Sequence, residues 1–256
     1  MTGNQSFKFH KTVPVNTYDC DFLANWKPTA FVQAMSQAAA DHAEGLGEGI
    51  QSIHEKGYYW VLSRLKVKFL KYPHPGDQVH LRTWPKTIQQ KLFFIRDFEL
   101  FDRSGEPVAL ATSAWLIIDA RSRRLIPPAA LEGINMPLSP DQSALDEALE
   151  KINLPEGGEI RLQQKAAYSA IDIVGHVNNT RYVEALCDSI DFSVHRGYVF
   201  DWMQINFDKE VRPEEEVVIK QSVLDEHGSK LGFLGFNLSR QTDAFKAVVG
   251  LRPRSA

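Results

Sequence analysis

The last third of the chain carries two carboxylates and an imidazole that could work together as an acid–base site. Asp172 and His176 lie in one short segment, and Glu210 follows on a later apolar stretch. A carboxylate can activate water or attack a carbonyl carbon itself, and an imidazole can orient or relay a proton. These residue types therefore predict acyl-transfer chemistry and leave open whether a carboxylate acts as base or as nucleophile.

A helix is predicted to begin directly after the run Gly175–Asn179. Asn178 or Asn179 is suited to be its N-cap, because an asparagine side chain accepts a hydrogen bond from an N–H of the first turn. A helix N-terminus also offers unpaired N–H groups and the positive end of the helix dipole, which can stabilise an oxyanion. We expect the backbone N–H groups of Gly175, Val177 and Asn178 to serve in this way. The apolar positions that predict the helix are Tyr182, Val183, Leu186 and Ile190.

The same residues also have an ordinary structural interpretation. Asp172 and Asn179 would suit local turn and capping roles, His176 would suit a hydrogen-bonded packing role, and Glu210 could be a solvated charge at the end of a strand. Spacing alone does not decide between the two interpretations. A comparison of the two parts of the chain does favour function.

The chain repeats a pattern on either side of a linker rich in proline and glycine. Tyr18–Pro28 leads into one apolar run of helical period, and Tyr168–Asn179 leads into another. Asp21 corresponds to Asp172, an offset of 172 − 21 = 151 residues. Internal repeats are sought first because they decide the architecture. The pattern therefore predicts two related halves.

A second repeat follows each predicted helix. Val67–Val79 corresponds to Ile205–Val217 with an offset of 217 − 79 = 138 residues. Both segments alternate apolar with polar residues and then turn at a proline, as half-buried antiparallel strands do. Leu92–Phe101 and Leu231–Leu238 form a weaker third pair of predicted strands.

Each half is predicted to be an α+β domain, in which an antiparallel sheet is wrapped around one central helix. The predicted boundaries are residues 1–135 for the first half, 136–160 for the linker and 161–256 for the second half. The linker composition leaves room for a short helix within it.

The two halves differ mainly at positions that could do chemistry. Packing alone would not require such a difference, so the second half is predicted to be the catalytic one. The corresponding pairs are Ala24 and Gly175, Asn25 and His176, Trp26 and Val177, and Tyr72 and Glu210.

Composition excludes several other classes of protein. The 256 residues are 43% hydrophobic and 24% charged, which is typical of a globular chain and not of a disordered or membrane-embedded one. A net charge of −3 argues against a general nucleic-acid binder. Cys20 and Cys187 provide neither a disulfide framework nor a metal-ligand spacing, so we expect a cytoplasmic protein with no metal and no cofactor.

The run Asp172–Asn179, together with Tyr182, resembles the motif of hotdog-fold thioesterases. Over roughly residues 6–250 the chain resembles the acyl-[acyl carrier protein] thioesterases of bacteria and plant plastids. Supporting segments in the first half are Trp60–Arg64, Tyr72–Asp77 and Ala114–Arg124.

The resemblance implies a tandem hotdog fold that hydrolyses fatty acyl thioesters on acyl carrier protein, with the acyl-chain pocket in the first half. The family's Asp-x-Asn-x-His run and later Glu correspond here to catalytic Asp172, His176 and Glu210, but Val174 stands at the Asn position. Acyl-CoA thioesterases often carry an apolar residue there, so an acyl-CoA thioesterase is an alternative, as is a non-catalytic acyl-thioester sensor. Acyl carrier protein is the expected partner, membrane insertion is not expected, and a homodimer stays open.

Overall fold

The computed structural model describes residues 8–134 and 136–254. Residues 1, 135 and 256, which limit the predicted halves, lie outside the described residues. The described chain contains four α-helices and 11 strands. In chain order these are β1 (Phe9–Pro14), α1 (Pro28–Gly45), α2 (Ile50–Glu55), β2 (Tyr58–Phe69), β3 (Gln78–Gln89), β4 (Phe93–Phe101), β5 (Pro107–Asp119), β6 (Leu125–Ile126), β7 (Glu159–Lys165), α3 (Asn179–Asp188), α4 (Phe192–Gly197), β8 (Tyr198–Phe207), β9 (Glu216–Val223), β10 (Lys230–Asn237) and β11 (Thr242–Pro253).

The chain forms two compact units. The first unit contains the residues up to Trp26, then Gln33–Ser63 and Leu70–Leu149. The second unit contains Lys27–Val32, Arg64–Phe69 and the chain from Glu150 onward.

In the first unit, an antiparallel sheet has the strand order β1–β3–β4–β5, and β6 pairs with β5. Alternating residues of β3, such as Val79 and Leu81, are buried, as the period of two in the sequence requires. Within α1, Met35, Ala38 and Ala39 are buried. The small alanines allow close packing of this helix.

In the second unit, the antiparallel order is β8–β11–β10–β9–β7, and Arg64 of β2 pairs with Asn206 of β8. The helix α3 packs on this sheet through Tyr182. Its ring centroid lies 5.5 Å from that of Phe245 on β11 and 5.9 Å from that of Phe207 on β8. The predicted α+β class is confirmed.

Hydrogen bonds repeat with the offsets that the sequence predicted. Cys20 and Trp26 form an isolated antiparallel bridge, as do Ile171 and Val177. The Trp26 N–H donates to the Pro73 carbonyl at 2.8 Å, and at the equivalent position the Val177 N–H donates to the Val211 carbonyl at 2.9 Å. The duplication is therefore confirmed at the level of backbone contacts.

The strand predictions were accurate, and the short helices were missed. Leu92–Phe101 and Leu231–Leu238 correspond to β4 and β10 within a residue at each end. The helices α2 and α4 have six residues each, which is too short to show a helical period in the sequence.

Residues 136–158 of the linker contain no helix, so the allowance for one there was wrong. Pro137, Pro140 and Pro155 lack the N–H that a helix uses and disfavour helical backbone in the preceding residue. The segment is held instead by Asp97 of β4, whose buried carboxylate accepts the Ala144 N–H at 2.7 Å.

Candidate active site

A tight turn presents the predicted catalytic residues of the second half. The Asp172 N–H donates to the His176 carbonyl at 2.9 Å, and the Gly175 N–H donates to the Asp172 carbonyl at 3.0 Å. The Asp172 carboxylate accepts the Val174 N–H at 2.9 Å. Gly175 has φ +83°, a left-handed conformation that glycine adopts without strain. The turn therefore explains both Asp172 and Gly175 structurally and carries His176 at its end.

Asn178, one of the two residues predicted for this role, is the N-cap of α3. Its Oδ1 accepts the Thr180 N–H at 3.0 Å and the Thr180 hydroxyl at 2.8 Å. Its Nδ2 donates to Asp172 Oδ2 at 3.4 Å. One side chain thus starts the helix and contacts the carboxylate of the turn, while Asn179 becomes the first helical residue.

The structure brings His176 and Glu210 together. His176 Nε2 lies 3.2 Å from Glu210 Oε2, and both side chains are partly buried. The other oxygen of Glu210, Oε1, lies 3.1 Å from Arg212 Nη2. Glu210 is therefore placed between an imidazole and a guanidinium, which makes it an ordered carboxylate and not a freely solvated charge.

Two backbone bonds hold this pair. The Val177 N–H donates to the Val211 carbonyl, which ties the residue after His176 to the residue after Glu210. The Val211 N–H donates to the hydroxyl oxygen of Tyr182 on α3 at 3.1 Å. The Val211 peptide is thus fixed from the turn and from the helix.

The predicted oxyanion donors need correction. The N–H groups of Gly175, Val177 and Asn178 were expected to be unpaired, but each donates within the protein, and the Asn178 N–H does so to the Ala170 carbonyl at 2.9 Å. They are used to close the turn and join it to its neighbours. Among the described residues, the N–H of Asn179 at the start of α3 has no hydrogen-bond acceptor.

A cavity of about 250 Å³ lies in the second unit beside α3. Tyr182, Ala185 and Phe245 line it, and Val177 and Val211 form part of its wall. Val177 and Val211 are joined by a backbone hydrogen bond, and their chain neighbours are the catalytic candidates. The cavity wall therefore includes the residue that follows each member of the His176–Glu210 pair.

The equivalent turn of the first half has the same backbone without the chemistry. The Asp21 N–H donates to the Asn25 carbonyl at 2.8 Å, and the Asp21 carboxylate accepts the Leu23 and Asn25 N–H groups, each at 2.9 Å. Ala24 has φ +61°, in the left-handed region that Gly175 also occupies. No imidazole and no glutamate occupy the equivalent positions, which are Asn25 and Tyr72.

Two family models match the chain. The one described as the acyl-ACP thioesterase N-terminal domain matches residues 6–129, and the one described as the acyl-ACP thioesterase C-terminal domain matches residues 156–246. This chain belongs to the acyl-ACP thioesterase family. The predicted resemblance is therefore confirmed, and the predicted catalytic residues fall inside the C-terminal match.

Curated relatives of the chain include plant members of the family. A chloroplastic acyl-[acyl-carrier-protein] hydrolase of Cuphea viscosissima is 24% identical over 216 residues, which are 80% of this chain and 52% of that protein. A chloroplastic dodecanoyl-[acyl-carrier-protein] hydrolase of Cinnamomum camphora is 25% identical over 223 residues, which are 81% of this chain and 57% of that protein. The chain thus spans about half the length of these relatives.

Solved structures of the family share the fold. An acyl-ACP thioesterase from Bacteroides thetaiotaomicron matches with a TM-score of 0.80 and 22% identity over 96% of this chain and 98% of that chain. The 12:0-ACP thioesterase from Umbellularia californica matches with a TM-score of 0.80 and 20% identity over 98% of this chain and 100% of that chain. The predicted tandem hotdog fold is confirmed.

Three features of this acyl-ACP thioesterase family member escaped the sequence analysis. Arg212 was missed although it lies two positions after Glu210, a spacing that places side chains on one face of an extended segment. The hydrogen bond from the Asn178 side-chain amide to Asp172 has no signal in the sequence beyond the capping residue itself. The bond from Val211 to Tyr182 could have been suspected by comparing the halves.

The described residues hold no group of three or more His, Cys, Asp or Glu side chains arranged to bind a metal ion. Among them there is also no helix both long enough and apolar enough to cross a membrane. Cys187 is partly buried, and burial raises the pKa of its thiol to about 12, which fits the predicted packing role.

Proposed function

We propose that this protein hydrolyses fatty acyl thioesters of acyl carrier protein to free fatty acid and the carrier thiol. The observation that carries the proposal is the 3.2 Å contact between His176 Nε2 and Glu210 Oε2 in a member of the acyl-ACP thioesterase family. Both side chains are partly exposed, so a substrate can reach them from solvent.

In the proposed reaction, the carboxylate of Glu210 or Asp172 takes a proton from water while the water oxygen bonds to the thioester carbonyl carbon. His176 orients the water and the carboxylate by hydrogen bonds. The tetrahedral intermediate then collapses, the C–S bond breaks, and the thiolate leaves with a proton returned by the carboxylate. The geometry supports Glu210 more directly, because it is the carboxylate in contact with His176.

We assign the oxyanion of the intermediate to the N–H of Asn179. This group lies at the N-terminus of α3 and has no acceptor among the described residues. The helix has ten residues, so its positive dipole end adds to the hydrogen bond. The three N–H groups named from the sequence are occupied and drop out of this role.

One observation favours acyl-CoA thioesters as a second candidate substrate. Val174 presents an apolar side chain, 43% exposed, where the resemblance led us to expect an asparagine. An amide that could orient water is therefore missing at that position. A third candidate, a sensor that binds acyl thioesters without turnover, is disfavoured by the ordered His176–Glu210 pair.

The test is the initial rate of hydrolysis of acyl carrier protein and CoA thioesters matched in chain length, with free fatty acid and free thiol both measured. We expect faster turnover of the carrier substrates. A preference for CoA would support the second candidate, and binding without hydrolysis of either would support the sensor. Glu210→Gln is the matched control for contaminating esterase activity.

We also propose that the two halves have separate roles, as the sequence suggested. The reaction takes place in residues 161–256, the acyl chain binds in residues 1–135, and residues 136–160 are a linker. This division is supported by the first-half positions equivalent to His176 and Glu210, which hold Asn25 and Tyr72. Photolabelling with an acyl thioester that carries a diazirine at its chain end should mark peptides from residues 8–134. Label on peptides that line the second-unit cavity would contradict it.

A cytoplasmic location is part of the proposal, because Cys20 and Cys187 are free thiols, as is usual in a reducing compartment. Cell fractionation checks this. A homodimer is the alternative to a single chain, and light scattering on the purified protein distinguishes the two.

A further inference from the structure

Tyr182 makes a buried hydrogen bond that the proposed reaction does not use. The side chain is 5% exposed, and its hydroxyl oxygen accepts the Val211 N–H at 3.1 Å. Val211 is fully buried, and a buried backbone N–H needs an acceptor. In this molecule the acceptor is a side chain of α3. The N–H belongs to the residue that directly follows the candidate base, Glu210.

The first half lacks both partners of this bond. By the offset of 151 residues, Tyr182 corresponds to Phe31, and by the offset of 138, Val211 corresponds to Pro73. Phenylalanine has no hydroxyl and proline has no N–H, so donor and acceptor are missing together. The tandem fold therefore exists without this bond, and the half that has it is the half that carries the His176–Glu210 pair.

The bond to Tyr182 is one of two hydrogen bonds that hold the Val211 peptide. The Val211 carbonyl accepts the Val177 N–H at 2.9 Å, so the Val211 peptide joins the His176 turn on one side and Tyr182 on the other. Loss of the Tyr182 hydroxyl would free the Val211 N–H and allow the Glu210 side chain to rotate relative to the imidazole.

We propose that Tyr182 is a positioning residue that holds Glu210 against His176 through the Val211 peptide. The inference rests on the proposed function. Burial raises the pKa of Tyr182 well above its ordinary value, with smaller contributions from the charges of Glu210 and Asp172 in the same direction, so the hydroxyl stays protonated at neutral pH. It therefore acts as a hydrogen-bonding group and not as a proton-transfer base.

The test variant is Tyr182→Phe, which keeps the ring packed against Phe245 and removes only the hydroxyl. The loss of one hydrogen bond predicts that kcat falls about five- to tenfold while KM stays within about twofold. Tyr198→Phe is the matched control, because the Tyr198 hydroxyl has no hydrogen bond among the described residues. Circular dichroism must show that both variants are folded.

A double-mutant cycle separates positioning from a general structural effect. In a Glu210→Gln background, Tyr182→Phe should lower the residual rate by less than about twofold, because the group it positions is already gone. An equal factor in both backgrounds, or a Tyr182→Phe variant as fast as wild type, would overturn the proposal.

A readout independent of turnover keeps this test distinct from the test of the proposed function. The NMR signals of the His176 ring report its contact with Glu210 directly, even in a protein that hydrolyses nothing. Tyr182→Phe should move these signals toward their positions in Glu210→Gln, and Tyr198→Phe should leave them in place. Unchanged His176 signals in a folded Tyr182→Phe protein would overturn the positioning role, whatever the activity assay shows.

Discussion

The turn at Asp21 and the turn at Asp172 have one backbone and two different sets of side chains. In both, the aspartate N–H donates to the carbonyl four residues later, and the carboxylate accepts the N–H two residues later. The turn itself therefore uses a side-chain oxygen at this position, whether or not chemistry follows. In the second half, His176 stands at the end of the turn and contacts Glu210. In the first half, Asn25 and Tyr72 stand at these two positions, and the imidazole at the turn is that of His74, whose Nδ1 lies 2.8 Å from the Ala24 carbonyl oxygen.

The comparison teaches which signals in the sequence were informative. The presence of Asp172 alone was not informative, because Asp21 makes the same local bonds in a half where Asn25 stands at the position of His176. The differences between Asn25 and His176 and between Tyr72 and Glu210 were more informative, since neither difference is needed to form the turn. The predictions below either break this distinction between the halves or make it sharper.

The largest effect is expected at Glu210. Glu210→Gln keeps the size of the side chain and removes the base, so kcat should fall by about 10²- to 10⁴-fold. Tyr72→Phe, at the equivalent position of the first half, should change kcat by less than about twofold. Steady-state rates on an acyl carrier protein substrate measure both. Equal losses in the two variants would break the distinction.

The first unit has a buried polar contact of its own, which predicts a pH effect on stability. His42 of α1 lies 3.0 Å from Arg96 of β4, and both are buried. Burial, with the charge of Arg96, lowers the pKa of His42 from 6.5 to about 4. His42 is then neutral in the folded protein at a pH where the unfolded chain binds a proton.

The sign follows from proton linkage. Stability from His42 is complete above about pH 6.5 and is lost as the pH falls toward 4, which amounts to about 2 kcal/mol between pH 7 and pH 5. Urea unfolding at the two pH values measures it. In His42→Gln, which cannot be protonated, this part of the pH dependence should disappear. An unchanged pH dependence in the variant would show that other groups cause it.

A smaller effect is expected at the N-cap of α3. Asn178→Ala removes the acceptor for the Thr180 N–H and should lower the free energy of unfolding by about 1 kcal/mol. Asn178→Ser keeps a capping oxygen and should recover most of that loss. Denaturant unfolding of the three proteins checks it. Lys27, which stands at the equivalent position in the first half, should tolerate alanine within about 0.5 kcal/mol.

The smallest effect is expected at Val174. Its side chain is exposed, and its N–H bond to Asp172 does not depend on the side chain. Val174→Asn should therefore preserve or modestly raise the rate on the carrier substrate. A collapse of the rate in a folded variant would show that the apolar residue is required and would favour the acyl-CoA alternative.

Much of the fold could be predicted because both halves of the chain carry the same sequence pattern. The offsets of 151 and 138 residues placed the turn of each half beside its strand end, and the bonds from Trp26 to Pro73 and from Val177 to Val211 follow them. The short helices α2 and α4 could not be predicted, because six residues do not complete a hydrophobic period.

Of the candidate site residues predicted from the sequence, the structure brings His176 and Glu210 into contact, but the hydrogen-bond partners of the site were not predicted. We expected His176 and Glu210 to work together in one site. The use of the Gly175, Val177 and Asn178 N–H groups inside the turn was not expected, because sequence shows where N–H groups lie and not which acceptors fold back onto them. Tyr182 was quoted only as part of a motif, since its partner is a backbone group.

The most direct measurement compares the two aspartates that share one turn. Asp172→Asn and Asp21→Asn each keep the oxygen that accepts the local N–H groups, so both proteins should fold, with closely similar unfolding midpoints. If the chemistry lies in the second half alone, Asp172→Asn should lower kcat on an acyl carrier protein substrate by at least about 10²-fold, and Asp21→Asn should stay within about twofold of wild type. Equal rates in the two folded variants would contradict the assignment of the active site to the second half.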